Sequence, residues 1–272
     1  MIKLVASDMD GTLLDGSAQL PPETYDLVNR LSDRGIRFVA SSGRRLDTLR
    51  EFFEPVVDRM DFVASNGAQV MVEGRLIDRE VFSHMMLRRL KNVVDMFDCL
   101  HLALFDSTNS YLLDDPDCFE LEFDKDLRRA TRIRDIPDPE VSVIKASVFC
   151  DRQDYVMDMA YVLERELGDR MVFAPSGRRW IDVMQKGVSK ATGIRQVLAR
   201  YGIDPADAMA FGDSMNDYEI LRLVGHPRAM ENGRYAVKQI SERVIGTNVD
   251  HAVQRELARM LDGLDTGDAA LA

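Results

Sequence analysis

The segment LVASDMDGTLLD (residues 4–15) sets the architecture of the whole chain. Its first four residues, with Ile2, form a small apolar run of the kind that makes a strand buried on both faces. Two carboxylates follow one residue apart, Asp8 and Asp10, with Gly11 directly behind. Like charges this close cost free energy unless a cation or a proton compensates. On residue types alone two readings stand: a capped turn, since Asp and Gly are common turn residues, or a site that holds a cation.

The same pattern recurs outward from this segment. IRFVAS (residues 36–41) and DFVAS (residues 61–65) read as further buried strands, and PPETYDLVNRLSDRG (21–35) and LDTLREFFEPV (46–56) read as the helices between them. Pro21 and Pro22 suit a helix start, Tyr25, Val28 and Leu31 form its stripe, and Gly35 can end it. Strands alternating with helices at this spacing predict an α/β fold with a parallel sheet and right-handed crossovers. QVMVEGRLID (69–78) predicts a hairpin turning at Glu73-Gly74.

From 82 to 185 the order of elements is different. MMLRRLKNVVDMF (85–97) and DYVMDMAYVLERELG (154–168) read as amphipathic helices; HLALF, SVIKASVFC and RMVFAP read as strands. This α+β pattern predicts a separate inserted domain over 82–185, with a discontinuous core over 1–81 and 186–272. The core rhythm returns with SKATGIRQVLARYG (189–202), for which Ser189 is an N-cap, then the short strand AMAF and the loop-to-helix segment GDSMNDYEILRLV. Arg228–Met230, a helix near Tyr235 and DHAVQRELARML (250–261) follow, and the polar tail 262–272 is expected to be disordered.

Composition bounds the function. The chain has 272 residues, 46% hydrophobic and 30% charged, as in an ordinary globular protein. A net charge of −11 argues against general nucleic-acid binding. No apolar run approaches a membrane span, and no signal peptide is indicated. Cys99, Cys118 and Cys150 are odd in number and widely spaced, which reads as reduced thiols in a cytoplasmic protein rather than a disulfide framework or metal site.

Ligands of open parallel sheets bind beyond the carboxyl ends of the strands. After the first strand stand Asp8 and Asp10; after the second, Ser41-Ser42-Gly43-Arg44; after the third, Ser65-Asn66-Gly67; after AMAF, Gly212-Asp213 and Asn216-Asp217; and Lys190 opens the returning helix. Asp8, Asp10, Asp213 and Asp217 are hard oxygen ligands suited to Mg2+. Ser42, Gly43, Lys190 and Asn216 are donors suited to a phosphate. A carboxylate can act as a nucleophile toward phosphorus, and a second one two residues on can serve as acid and then base.

Each residue alone also has a structural reading. Asp213 and Asp217 would suit a helix start, Ser42 a cap, Lys190 a solvated surface and Asn66-Gly67 a turn. Arg44 and Arg45 would steer phosphate or pair with acids. His84, His101, His226 and His251 lack metal spacing. Met85, Met86, Met96, Met157 and Met159 read as core filler. Trp180 with Arg178 and Arg179 would face a substrate or pack in a strand.

DMDGTLLD, ASSGR, SNGA, KGVSK and GDSMND, in that order, resemble the haloacid dehalogenase superfamily, and most of all its Cof-type sugar-phosphatase branch. The resemblance covers both core segments, while the insert is recognised by position and length. It implies a Rossmann-like core with an inserted α/β cap that sets specificity, and Mg2+-dependent hydrolysis of phosphate monoesters. It implies Asp8 as nucleophile, Asp10 as acid and base with its backbone carbonyl on the metal, and Ser42 and Gly43 on the phosphate. It implies Lys190 neutralising phosphate and nucleophile, Asp213 as metal ligand, Asp217 as ligand or holder of a metal-bound water, and Asn216 on the phosphate. The chain departs from the family pattern at Ser42, where threonine is usual. It also departs at Asp250-His251-Ala252, which lacks the glycine the family places there.

The expected substrate is a small phosphorylated metabolite: a sugar phosphate, pyridoxal phosphate and flavin mononucleotide all stay open. Phosphomutase activity is the alternative within the superfamily, told apart by isomerised ester against free phosphate. A non-catalytic phospho-ligand sensor is the alternative outside enzymes, told apart by binding without turnover.

Overall fold

The computed structural model describes residues 1–113, 130–176 and 178–266. The chain forms two compact units, Met1–Asp78 with Ser189–Ala272, and Arg79–Val188. In chain order the first elements are β1 (Leu4–Ser7), α1 (Glu23–Asp33), β2 (Arg37–Ser41), α2 (Leu46–Phe52), β3 (Asp61–Ala64), β4 (Gln69–Val72) and β5 (Arg75–Arg79). β4 and β5 are joined by Glu73 and Gly74, both left-handed with φ of +50° and +71°, the two-residue geometry that matches strand twist.

The second unit contributes α3 (His84–Val94), β6 (Leu100–Phe105), β7 (Ser110–Leu113), β8 (Thr131–Ile133), β9 (Lys145–Cys150), α4 (Val156–Leu167), β10 (Met171–Ser176) and β11 (Trp180–Gln185). Its sheet runs β10-β11-β9-β6-β7-β8 and is antiparallel except at β7–β8. Leu87 and Leu90 of α3 and Ala160 and Leu163 of α4 share one core with Leu102, Leu104, Val148 and Ile181 of the sheet.

The chain returns through α5 (Lys190–Tyr201), β12 (Ala208–Gly212), α6 (Tyr218–Leu223), β13 (His226–Met230), α7 (Tyr235–Gln239), β14 (Arg243–Ile245) and α8 (Ala252–Thr266). α5 starts on a capping box: Thr192 N–H donates to the Ser189 hydroxyl and Ser189 N–H donates to the Thr192 hydroxyl oxygen. It ends at Gly202, in the left-handed region at φ +63°.

The first unit's sheet has the order β14-β13-β12-β1-β2-β3-β4-β5, parallel from β14 to β3. It is a doubly wound α/β core. Alternation in β1 sends Val5 to the side of α1 and α8, with Leu27, Leu31 and Leu257, and sends Leu4 and Ala6 to the side of α5, with Ile194 and Val197. β1 is buried along its whole length, as its uniformly apolar sequence requires.

Two expectations need correction. Met85, Met96 and Met157 are exposed, while Met86 and Met159 pack against the second unit's core. The buried stripes of α3 and α4 pass through Leu87, Leu90 and Leu163 instead, and the other methionines are out of phase with them. The expected disorder from residue 262 does not hold up to Thr266, because α8 continues through it; residues 267–272 lie outside the described residues. Trp180 opens β11 and packs 5.0 Å from the Phe149 ring, which is the strand reading of that residue. Cys99 and Cys150 are free thiols, and Cys118 lies outside the described residues. Among the described residues no helix is long and apolar enough to cross a membrane.

Candidate active site

β2 and β3 extend the sheet from one side of β1, and β12, β13 and β14 extend it from the other. Chain order therefore reverses between β1 and β12, and the carboxyl ends of these two strands border the crevice that such a reversal opens. Asp8 leaves β1 with its N–H donating to Phe211 O at 3.0 Å, and Asp213 leaves β12 beside it. The segment after Asp8 is a wide turn, with Leu13 N–H donating to Asp8 O and Leu14 N–H to Met9 O. Gly11 has φ +78°, and a Cβ there would come within 2.8 Å of Asp213 Oδ2. Glycine is needed for both the backbone and the approach. Thr12 Oγ1 donates to Asp213 Oδ1 at 3.2 Å, and Asn232 Nδ2 donates to Gly11 O at 2.7 Å.

Lys190, the first residue of α5, is fully buried, and its Nζ reaches Asp8 Oδ1 at 2.5 Å and Asp217 Oδ1 at 2.6 Å. Burial opposes its charge, but Asp217 and Asp8 outweigh that and raise its pKa. Asp217 is also buried, and its Oδ2 accepts from the N–H groups of Asp213 and Ser214. Both of its oxygens therefore hold the helix start and the lysine in place. Burial, followed by the charge of Asp217, pushes Asp8 well above the usual carboxylate range despite the lysine. The same two causes push Asp213 up to about 6.

Asp8, Asp213 and Asp217 bring one oxygen each within 4.8 Å of one another. Three carboxylates against one lysine leave a formal charge of −2, the charge a divalent cation offsets. All three donors are hard oxygens, so the set fits Mg2+. Asp8 and Asp213 are the better candidates for direct ligation, because Asp217 already uses both oxygens. The Asp10 carboxylate is not in this group and accepts from the Arg44 guanidinium instead.

Opposite the carboxylates stand the polar ends of β2 and β3. Ser42 is buried, its N–H donates to Val63 O, and its carbonyl accepts from Asn66 N–H at 2.9 Å. Ser65, Asn66 and Gly67 are all left-handed, with φ of +50°, +55° and +100°. Two consecutive non-glycine residues there store strain, a feature that gathers at functional sites. The reason for the conformation is contact: a Cβ on Gly67 would lie 2.1 Å from Ser189 O, so this loop packs directly on the start of α5 and hence on Lys190. Asn66 Oδ1 accepts from Asn216 Nδ2 at 3.2 Å, and its side chain abuts Gly43. Asn216 Oδ1 is buried without a partner among the described residues.

Residues 5–257 match the haloacid dehalogenase-like hydrolase family. The chain belongs to that family. An Escherichia coli relative, the 5-amino-6-(5-phospho-D-ribitylamino)uracil phosphatase YbjI, is 28% identical over 249 residues, covering 91% of this chain and 92% of its own. An HMP-PP phosphatase of Cronobacter sakazakii is 29% identical over 272 residues, covering 96% and 97%. Among solved structures, SMU.1108c from Streptococcus mutans superposes with a TM-score of 0.87 at 22% identity, over 96% of this chain and 100% of that one, which shows the shared fold. These matches run through the inserted unit as well as the core, as the Cof-type resemblance implies.

Within this haloacid dehalogenase-like hydrolase, both departures from the family pattern have a structural outcome. Ser42 keeps the hydroxyl of the usual threonine, and its Oγ accepts from Arg44 N–H at 3.1 Å. His251 takes a left-handed conformation, φ +53°, a region that glycine enters without strain. Its ring is paired to Glu23 at 2.6 Å, and histidine is among the residues that tolerate this region. Arg44 and Arg45 both pair with acids, Arg44 with Asp10 and Arg45 with Asp47. Thr12, Asn66 and Asn232 were given no site role from sequence. Their signals are slight: Thr12 stands inside the first motif, Asn66-Gly67 reads as a turn, and Asn232 stands in none of the motifs.

Proposed function

We propose that the chain is a Mg2+-dependent phosphatase of small phosphorylated metabolites that works through an aspartyl-phosphate on Asp8. The observation that carries this reading is Lys190 Nζ, buried between Asp8 and Asp217 at the mouth of β1. A buried ammonium at that place lowers the cost of charge on Asp8, orients it and offers charge to an incoming phosphate. Ser42, Gly43 and Asn216 would bind the phosphate oxygens. Mg2+ held by Asp8 and Asp213, with the Asp10 carbonyl that the resemblance adds, would neutralise phosphate charge there.

In the first step an Asp8 oxygen attacks phosphorus, the bond to the leaving oxygen breaks, and Asp10 gives that oxygen its proton. In the second step Asp10 takes a proton from water, the water oxygen attacks phosphorus, and the Asp8–phosphorus bond breaks. The sum is ester plus water to alcohol plus phosphate. Residues 82–185 are assigned as the cap that selects the substrate, and the cell compartment that fits the free thiols is the cytoplasm.

The relatives' named activities make their substrates the first to try. The test is phosphate release, with and without Mg2+, from a panel holding the phosphoribitylamino-uracil, HMP-PP, sugar phosphates, pyridoxal phosphate and flavin mononucleotide. Mg2+-dependent release from at least one is expected. Isomerised ester without free phosphate would turn the reading to a mutase, and binding without turnover across the panel would turn it to a sensor.

A further inference from the structure

We propose that Arg44 is the positioning residue for the Asp10 carboxyl. The proposal rests on the phosphatase reading, in which Asp10 serves the leaving oxygen. Arg44 Nε and Nη2 donate to Asp10 Oδ2 and Oδ1 at 2.8 and 2.6 Å, a fork on a carboxylate. Such a pair fixes the plane of the acceptor as well as its place. Asp10 needs this more than its neighbours do. The Asp8 and Asp217 carboxylates are walled in, whereas the Asp10 side chain is 54% exposed on a turn next to a left-handed glycine.

Arg44 is itself held at several points. Its N–H donates to Ser42 Oγ, its carbonyl accepts from Ser65 N–H at 2.8 Å, and its guanidinium lies 5.2 Å from the centre of the Phe52 ring. The same residue therefore ties the phosphate-binding serine to the acid. Stability does not explain the arrangement, because exposed ion pairs contribute about 0–1 kcal/mol. A donor fork on an exposed carboxylate, joining the loop after β1 to the loop after β2, is the geometry of a residue that acts through another.

The test uses leaving groups. p-Nitrophenyl phosphate expels a stable anion and gains little from an acid, whereas benzyl phosphate expels an alkoxide unless it is protonated. The parameter to compare is kcat/KM, which covers the steps through departure of the leaving group. Asp10→Asn, Arg44→Ala and Arg44→Lys are assayed beside the wild-type chain, with Mg2+ present and with thermal midpoints recorded.

Arg44→Ala is expected to lower kcat/KM at least about tenfold more on benzyl than on p-nitrophenyl phosphate, in the same direction as Asp10→Asn, since positioned proton transfer is worth about 10²–10⁴. Arg44→Lys, which keeps charge and loses the fork, is expected to show the same bias and keeps the test open should the alanine variant not fold. If Asp10→Asn shows the bias and neither arginine variant does, the positioning role is overturned and the phosphatase reading stands. If Arg44→Lys matches the wild type on both esters, the fork geometry is overturned. If Asp10→Asn itself shows no bias, the acid assignment fails and the role of Arg44 fails with it.

Discussion

Lys190 is the residue on which the site turns. Its ammonium is buried at 2.5 and 2.6 Å from the Asp8 and Asp217 carboxylates. Removing one member of a buried ionic cluster leaves the others uncompensated, at a cost of about 3–5 kcal/mol. Lys190→Met is therefore expected to lower the stability of the metal-free chain by that order at pH 7, measured by urea unfolding. The loss should shrink as pH falls, because burial raises the Asp8 carboxyl well above the usual carboxylate range and it takes up a proton there. A variant as stable as the wild type at pH 7 would show that the lysine does not bear the charge of the site.

At the scale of elements, the left-handed loop after β3 fixes where α5 begins. Gly67→Ala would place a Cβ 2.1 Å from Ser189 O, in a conformation already unfavourable for alanine, and α5 or the loop would have to move. Gly74, at φ +71° in the β4–β5 turn, has no atom within 4 Å of the same added carbon. Gly74→Ala should cost about 1–2 kcal/mol from backbone strain alone, and Gly67→Ala clearly more, together with a loss of phosphatase activity that Gly74→Ala does not share. Thermal melts and phosphate release on the pair separate contact from conformation.

The same scale shows what was legible in the chain. β1, β2, β3 and β12 are apolar runs that end in polar residues, and buried parallel strands have that composition because both faces meet helices. Every motif residue at those ends stands on the first unit as expected from strand direction. β8 and β14 were not legible: each has three residues, and both are mostly exposed, so neither carries an apolar period. The partners of Asp10 and Asn66 were hidden for another reason, since hydrogen bonds between loops more than thirty residues apart leave no spacing to read.

At the scale of the whole molecule, the acidic site makes stability depend on pH and cation together. Asp213, with a reference pKa of 3.8 and a folded value of about 6, binds its proton more tightly when folded, and Asp8 is shifted the same way. Stability of the metal-free chain is then fully present below about pH 4 as far as these groups contribute, and is lost as pH rises through 6. Mg2+ should restore it, raising the thermal midpoint at pH 8 and having little effect at pH 4.5. Equal stabilisation at both pH values would place the cation elsewhere.

The central claim is that Asp8 is the nucleophile of a Mg2+-dependent phosphatase. It is tested most directly by phosphate release from the best substrate of the panel, for the wild-type chain and Asp8→Asn, each with Mg2+ and with EDTA. The account predicts release only from the wild type with Mg2+, and a folded, inactive Asp8→Asn. Hydrolysis retained by Asp8→Asn, with deamidation back to aspartate and contaminating phosphatase ruled out by mass spectrometry, would contradict it.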